Sequence, residues 1–259
     1  MSLKNQVKNP YKCQIQGKES FIDNQFVIFS QSYLINSIIE FNKKKLFPNN
    51  TKGRINVLDL GCYNGRVMHF LTQVWTFVNY TGVDVRRDYL EKSPVIKRSD
   101  VTLLCEDVTL GLSIPDNSQN MIVSSEVLEH IYANKLRDVM QNLYNKLAPE
   151  GRLVVAFPMN TKNKQFHFLE KEVNLGHVNF PVHEDFIDLA KSIGYSFIKY
   201  DSGFSLKSKY RIPKHIKHTK EFQRIRNQLG THVARAYAMT IDTDHTGGGY
   251  YTFDKPKIL

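Results

Sequence analysis

With 259 residues, 41% of them hydrophobic and 23% charged, the chain has the composition of an ordinary globular protein, large enough for one generous domain with an appendage. No stretch approaches eighteen uninterrupted apolar residues and residues 1–16 are polar, so neither a membrane span nor a secretion signal is expected. The net charge of +10 is local: between Ser205 and Ala236 nine lysines and arginines face one acid, Glu221, and the rest of the chain is close to neutral.

Residues 1–20 carry no periodic pattern and read as a loose arm. From Phe21 to Phe47 apolar residues recur at helical spacing, which predicts one or two amphipathic helices before a break at Pro48-Asn49-Asn50. Short apolar runs then alternate with helical patterns. Strands are expected at Asn56–Cys62, Tyr80–Val85, Val101–Val108, Met121–Ser125 and Arg152–Phe157, and helices at Gly65–Trp75, Arg86–Lys92 and Glu126–Leu147. A helix at His183–Ile193 leads into a strand at Ser196–Tyr200, and Arg235–Ile241 is the candidate for a last strand. The alternation predicts an α/β fold, Rossmann-like, with a mostly parallel seven-stranded sheet covered on both faces. The organisation expected is an N-terminal arm and helical cap over 1–50, a core over 51–204, and a basic segment, last strand and tail over 205–259. Pro158–Gly176 reads as an insertion over the strand ends, and Gly247–Tyr251 as a flexible aromatic end or lid edge. Cys13, Cys62 and Cys105 have no CxxC spacing, so a disulfide framework or zinc knuckle is disfavoured and a cytoplasmic setting fits best.

The strongest chemical signal is Val57-Leu58-Asp59-Leu60-Gly61-Cys62-Tyr63-Asn64-Gly65, an apolar strand entering a tight glycine turn that opens a helix. Such a turn lets the backbone approach a ligand closely and offers helix-start amides to an anion. Some twenty residues on, Val83-Asp84-Val85 puts an acid at the end of the second strand, where adenosine-binding α/β folds hold ribose hydroxyls. GCYNG is not the dinucleotide pattern GxGxxG. It resembles the first motif of class I S-adenosylmethionine-dependent methyltransferases, an acid followed by GxGxG, with Tyr63 in place of the middle glycine. Cys105-Glu106-Asp107-Val108, Ser124-Ser125-Glu126-Val127-Leu128-Glu129-His130-Ile131 and Leu147-Ala148-Pro149-Glu150-Gly151 are similar to that family's third, fourth and fifth elements, over roughly residues 56–158.

The resemblance implies a cofactor, S-adenosylmethionine. Asp59 and the backbone of Gly61, Cys62, Tyr63 and Gly65 would hold its methionine end, Asp84 with Val85 its ribose, and Asp107 with Val108 its adenine, with Ser125 completing the set. The alternative for Asp84 and Asp107 is a capping or loop acid, and Cys62 reads as a small turn residue and not a nucleophile. Methyl transfer from a sulfonium needs chiefly alignment of acceptor and methyl carbon, and a base only where the acceptor must lose a proton. No DPPY or NPPY follows the fourth strand and no Pro-Cys pair is present, which counts against adenine amino-methylation and covalent attack on a pyrimidine.

On the helix expected from Glu126, positions i, i+3 and i+4 bring Glu126, Glu129 and His130 to one face. Glu126, His130 and His177 are the catalytic candidates. Glu126, Glu129, His130 and His177 are candidate ligands of a divalent metal ion, as similar ExxEH helices imply in quinone-pathway O-methyltransferases and small-RNA 2′-O-methyltransferases. The same string elsewhere in the superfamily merely starts the helix beside the active site. His183 with Glu184 reads as the beginning of a helix. Three functions follow. The favoured one is methylation of a small molecule at oxygen or nitrogen. The others are methylation of RNA or another nucleic acid held by the basic 205–236 segment, and a non-catalytic binding module. No membrane partner is expected, and the oligomeric state is not encoded in any visible pattern.

Overall fold

The computed structural model describes residues 54–65, 67–69, 78–157, 176–179, 181–201 and 249–257, together with 34, 37, 38, 41, 220, 223, 224 and 227. Seven strands form one sheet: β1 (Ile55–Leu60), β2 (Val78–Asp84), β3 (Val101–Cys105), β4 (Gln119–Ser125), β5 (Leu147–Phe157), β6 (Ser196–Asp201) and β7 (Gly249–Asp254). Their order is β3-β2-β1-β4-β5-β7-β6. Every neighbouring pair is parallel except those made by β7, which runs antiparallel between β5 and β6. The six parallel strands therefore end at one carboxyl edge. The order reverses between β1 and β4, and crevices of α/β sheets open at such switch points.

Helix α1 (Arg87–Leu90) follows β2, α2 (Ala133–Lys146) follows β4, and α3 (His183–Ile193) precedes β6. Leu136, Val139, Met140 and Leu143 form the buried stripe of α2 and pack with Phe186, Ala190 and Ile193 of α3 against Leu58, Ile122, Leu153 and Phe253. On the other face Leu34, Ile38 and Phe41, all helical, join Val57, Tyr80, Val123, Val154 and Tyr250. Their spacing of four and three residues is the helical period read from the sequence. Each such fully buried side chain contributes about 1.5–3 kcal/mol relative to exposure.

Six of the expected strands form within five residues of their expected bounds, and α3 runs over the expected span. Three differences have identifiable causes. The helix expected from Glu126 starts only at Ala133, because Glu126 turns to φ 59 and Leu128–His130 is a short 3-10 turn that ends at the extended Ile131. β5 starts at Leu147, five residues before the expected Arg152, with a register shift between Gln119 and Met121 and Glu150 at φ 60 marking an irregularity within the strand. The aromatic end Gly247–Tyr251 is no loose tail where described: Gly249–Asp254 is β7, and Tyr250, Tyr251 and Phe253 are fully buried. Arg152 holds Asp254 through two bonds of 2.7 and 2.8 Å. Buried Lys255 donates to Asn117 Oδ1 and to the carbonyls of Tyr144 and Leu147 at the end of α2. These ties hold the register of β7. Arg235–Ile241, most of Pro158–Gly176 and most of the basic segment lie outside the described residues. Among the described residues no helix is long and apolar enough to cross a membrane.

Candidate active site

The turn after β1 is built from main-chain atoms. The amides of Gly61 and Cys62 both donate to the carbonyl of Val83 at 2.8 and 3.0 Å, and Gly65 N–H donates to Cys62 O at 2.8 Å. Gly61, Tyr63 and Gly65 have φ 69, 54 and 77, so Tyr63 adopts the left-handed conformation that a glycine would take at lower cost. A Cβ on Gly61 would stand 2.2 Å from Cγ2 of Val127. That contact seats the β1 turn directly against the end of β4, which only a glycine permits.

Asp84, at the end of β2, accepts Tyr63 N–H on Oδ2 at 2.9 Å and Arg86 N–H on Oδ1 at 2.8 Å. Burial raises its carboxyl above the ordinary value against the pull of these two amides. Asp59 is 5% exposed, and burial, with the charge of Asp84 second, pushes its carboxyl up to about 7. Its Oδ2 is buried with no hydrogen-bond partner among the described residues. A buried carboxyl whose proton affinity is raised by burial and by a neighbouring carboxylate favours a cation, and the ammonium and sulfonium of S-adenosylmethionine fit that donor set. Asp107 caps the 3-10 turn Val108–Leu110, its Oδ1 accepting from Thr109 N and Oγ1 at 2.9 and 2.7 Å. Both Asp84 and Asp107 thus also do the structural work of loop and cap acids. Burial pushes the Cys62 thiol far up, in keeping with a small turn residue and not a nucleophile.

The other half of the edge is built from side chains. Glu129, fully buried, His130 and His177 bring one ligand atom each to within 4.8 Å of one another. The rings of His130 and His177 meet edge to face at 4.8 Å, and His177 Nε2 lies 3.9 Å from Glu129 Oε1. The loop bearing His177 is pinned from beneath, because the carbonyl of Glu129 accepts the amides of Val178 and Asn179 at 2.8 and 3.1 Å. His130 Nδ1 sits 3.1 Å from Gly176 O. Donation there leaves Nε2 as its basic nitrogen. Burial lowers both imidazoles, His177 to about 4, so His177 is neutral at neutral pH and its lone pair is available.

Of the four metal candidates the structure brings together Glu129, His130 and His177. Glu126 is outside that set: its φ of 59 and its amide bond to Ala156 O at 2.9 Å end β4, so the shared helix face expected for Glu126, Glu129 and His130 does not form. Ser125 closes β4, Val85 is exposed just beyond β2, and Val108 is buried. His183 opens α3, as expected, and its Nδ1 pairs with Tyr251 Oη at 2.9 Å. Two residues escaped the reading of the sequence. Asn179 is 9% exposed beside His177, and its position two residues on, in Gly176-His177-Val178-Asn179, was the available signal. Tyr89, on α1, packs on Tyr63 at 4.1 Å, and no sequence pattern marks it.

A family model described as a methyltransferase domain matches residues 31–200 of the chain. Among curated proteins there is no match. Solved structures share the fold at low identity. The 4+2 cyclase SpnF is 17% identical with a TM-score of 0.57, over 87% of this chain and 81% of that one. A protein of Galdieria sulphuraria described as a sarcosine dimethylglycine methyltransferase is 14% identical with a TM-score of 0.60, over 89% and 87%. Phosphoethanolamine N-methyltransferase 2 of Haemonchus contortus, solved with S-adenosyl-L-methionine, is 16% identical with a TM-score of 0.58, over 93% of this chain and 59% of that one. A cyclase among them shows that this fold by itself does not assign a reaction. The family model does what the fold cannot: with its match over most of the chain and the glycine turn, paired acids and strand order described above, the chain belongs to the methyltransferase domain family and is a class I S-adenosylmethionine-dependent methyltransferase.

Proposed function

We propose that this enzyme transfers the methyl group of S-adenosylmethionine to an oxygen or nitrogen of a small-molecule acceptor seated beside His130 and His177. The observation that carries the reading is the convergence of Glu129, His130 and His177 within 4.8 Å, next to an acid turn suited to a cationic donor. Asp59 and the Gly61–Gly65 backbone hold the methionine end, Asp84 the ribose, and Asp107 with Val108 the adenine. S-adenosylmethionine supplies an activated methyl group. The protein aligns the acceptor, and Nε2 of His130 takes the acceptor's proton where one must leave. His177, neutral, and Glu129 fix the polar wall. Small amine or phosphoamine methyltransferases among proteins of this fold support a small acceptor.

A divalent cation in the same three donors is a second reading, favoured by a set of two neutral imidazoles and one carboxylate. Activity retained in chelator removes it; activity lost in chelator and restored by added metal supports it. A nucleic-acid acceptor has its own support. β6 ends at Asp201 and β7 begins at Gly249, opposite Phe157, so the strand ends that flank the basic stretch in the sequence lie at the carboxyl edge. Labelled methyl transfer to fractionated cell extract tests all of these. Label in the small-molecule fraction, little affected by salt, supports the main reading. Label in RNA that falls steeply with salt supports the nucleic-acid reading. No label in any fraction, with S-adenosylhomocysteine still bound, leaves a binding module.

A further inference from the structure

Tyr63 stands where the resembled motif has a glycine, at φ 54, a conformation that costs a non-glycine residue about 1–2 kcal/mol. Its ring packs on that of Tyr89 with centroids 4.1 Å apart and planes tilted by 51°. The guanidinium of Arg86 lies over the same Tyr89 ring, 4.3 Å from its centroid. Arg86 is held in turn by Asp88 through two bonds of 2.8 and 2.7 Å. Tyr63 and Arg86 are also the two residues whose amides bind the two oxygens of Asp84. One half-buried ring on α1 therefore contacts the side chains of both amide donors that aim the ribose acid.

We infer that Tyr89 is a positioning residue for cofactor binding: by packing against Tyr63 and Arg86 it fixes the two amides on Asp84, and so fixes the carboxylate against the ribose diol. The inference rests on the assignment of Asp84 to the ribose. Its physical basis is preorganisation. An amide pair held by a common clamp does not have to be reordered when the ligand arrives, so the clamp contributes to affinity without touching the ligand. The two amides also favour the ionised form of Asp84, which is the form that accepts from hydroxyls. In this left-handed conformation Tyr63 makes both its amide bond to Asp84 and its ring contact with Tyr89.

Binding of S-adenosylhomocysteine and of its 2′,3′-dideoxy analogue, measured by calorimetry, tests the inference on the full chain. Tyr89→Ala is expected to weaken S-adenosylhomocysteine about tenfold while changing the dideoxy analogue by less than about twofold, since only the first engages Asp84. Tyr89→Phe, which keeps the ring, is expected to bind as wild type, and Arg86→Met to lose about threefold. A merely structural role would weaken both ligands alike. Equal weakening of both, or wild-type affinity in Tyr89→Ala, overturns the inference and leaves the cofactor reading standing. Wild-type protein that binds the two ligands equally well overturns the ribose assignment and the inference with it.

Discussion

Between β1 and β3 the carboxyl edge is held by main-chain atoms, whereas between β4 and α3 it is held by side chains that converge from distant parts of the chain. In the first half, three left-handed residues and five amides in the turns after β1 and β2 build a cradle within a span of some twenty-five residues. In the second half, Glu129 and His130 meet His177 only because a loop returns and donates two amides to the Glu129 carbonyl. On the proposed reading the first half binds a cofactor common to a superfamily, and main-chain geometry suits such a fixed task. On the same reading the second half faces the acceptor, and side chains on a returning loop can be changed without rebuilding the sheet.

That contrast predicts separable effects. The largest is expected from Gly61→Ala, which adds a Cβ at φ 69 only 2.2 Å from Val127. Overpacking and backbone strain together should cost about 3 kcal/mol and abolish detectable S-adenosylhomocysteine binding, read by denaturant unfolding and calorimetry. Normal binding by this variant would mean that the β1 turn does not form the cofactor cradle. Next, His130→Ala should lower kcat about 100-fold for an acceptor that must lose a proton, with cofactor affinity unchanged. A parallel loss of affinity would show that the two halves are one unit.

A smaller effect is expected from pH. Asp59 has a folded value near 7 against an ordinary 3.8, so the free protein holds that proton more tightly than the unfolded chain does. Its contribution to stability is full below about pH 4 and is lost as pH rises to about 7. The cofactor's ammonium selects the carboxylate, so S-adenosylhomocysteine should bind about tenfold more weakly at pH 6 than at pH 8, with a plateau above. An affinity independent of pH over this range would remove Asp59 from the methionine end. The smallest effect separates the two glutamates. Glu126→Gln should change kcat less than about threefold while Glu129→Gln changes it at least tenfold, because Glu129 alone is in the histidine cluster. Equal losses would restore Glu126 to the site.

How much was visible in the sequence follows from how local each feature is. Asp59, Gly61 and Asp84 are legible because a strand, a turn and the next strand end have fixed spacings. The parallel order is legible because helices alternate with strands, and His183–Ile193 because its period is unbroken. Glu126 was misplaced because a string with helical spacing was broken by one left-handed residue, a backbone choice that the amide bond to Ala156 on neighbouring β5 stabilises and that the local pattern does not reveal.

The sequence by itself determined the enzyme class and the strand-turn-strand frame from Asp59 to Asp84, since local patterns of apolar residues, glycines and acids are enough to specify strand, turn and strand-end acid. Only the tertiary structure decided that the aromatic tail is the strand β7, that Glu129, His130 and His177 form one group, and that Tyr89 touches both residues that hold Asp84. The physical reason is range. Each of these depends on pairing or packing between segments far apart in the chain, whose register is set by buried contacts and ion pairs such as Arg152 with Asp254, and no short window of residues carries that information.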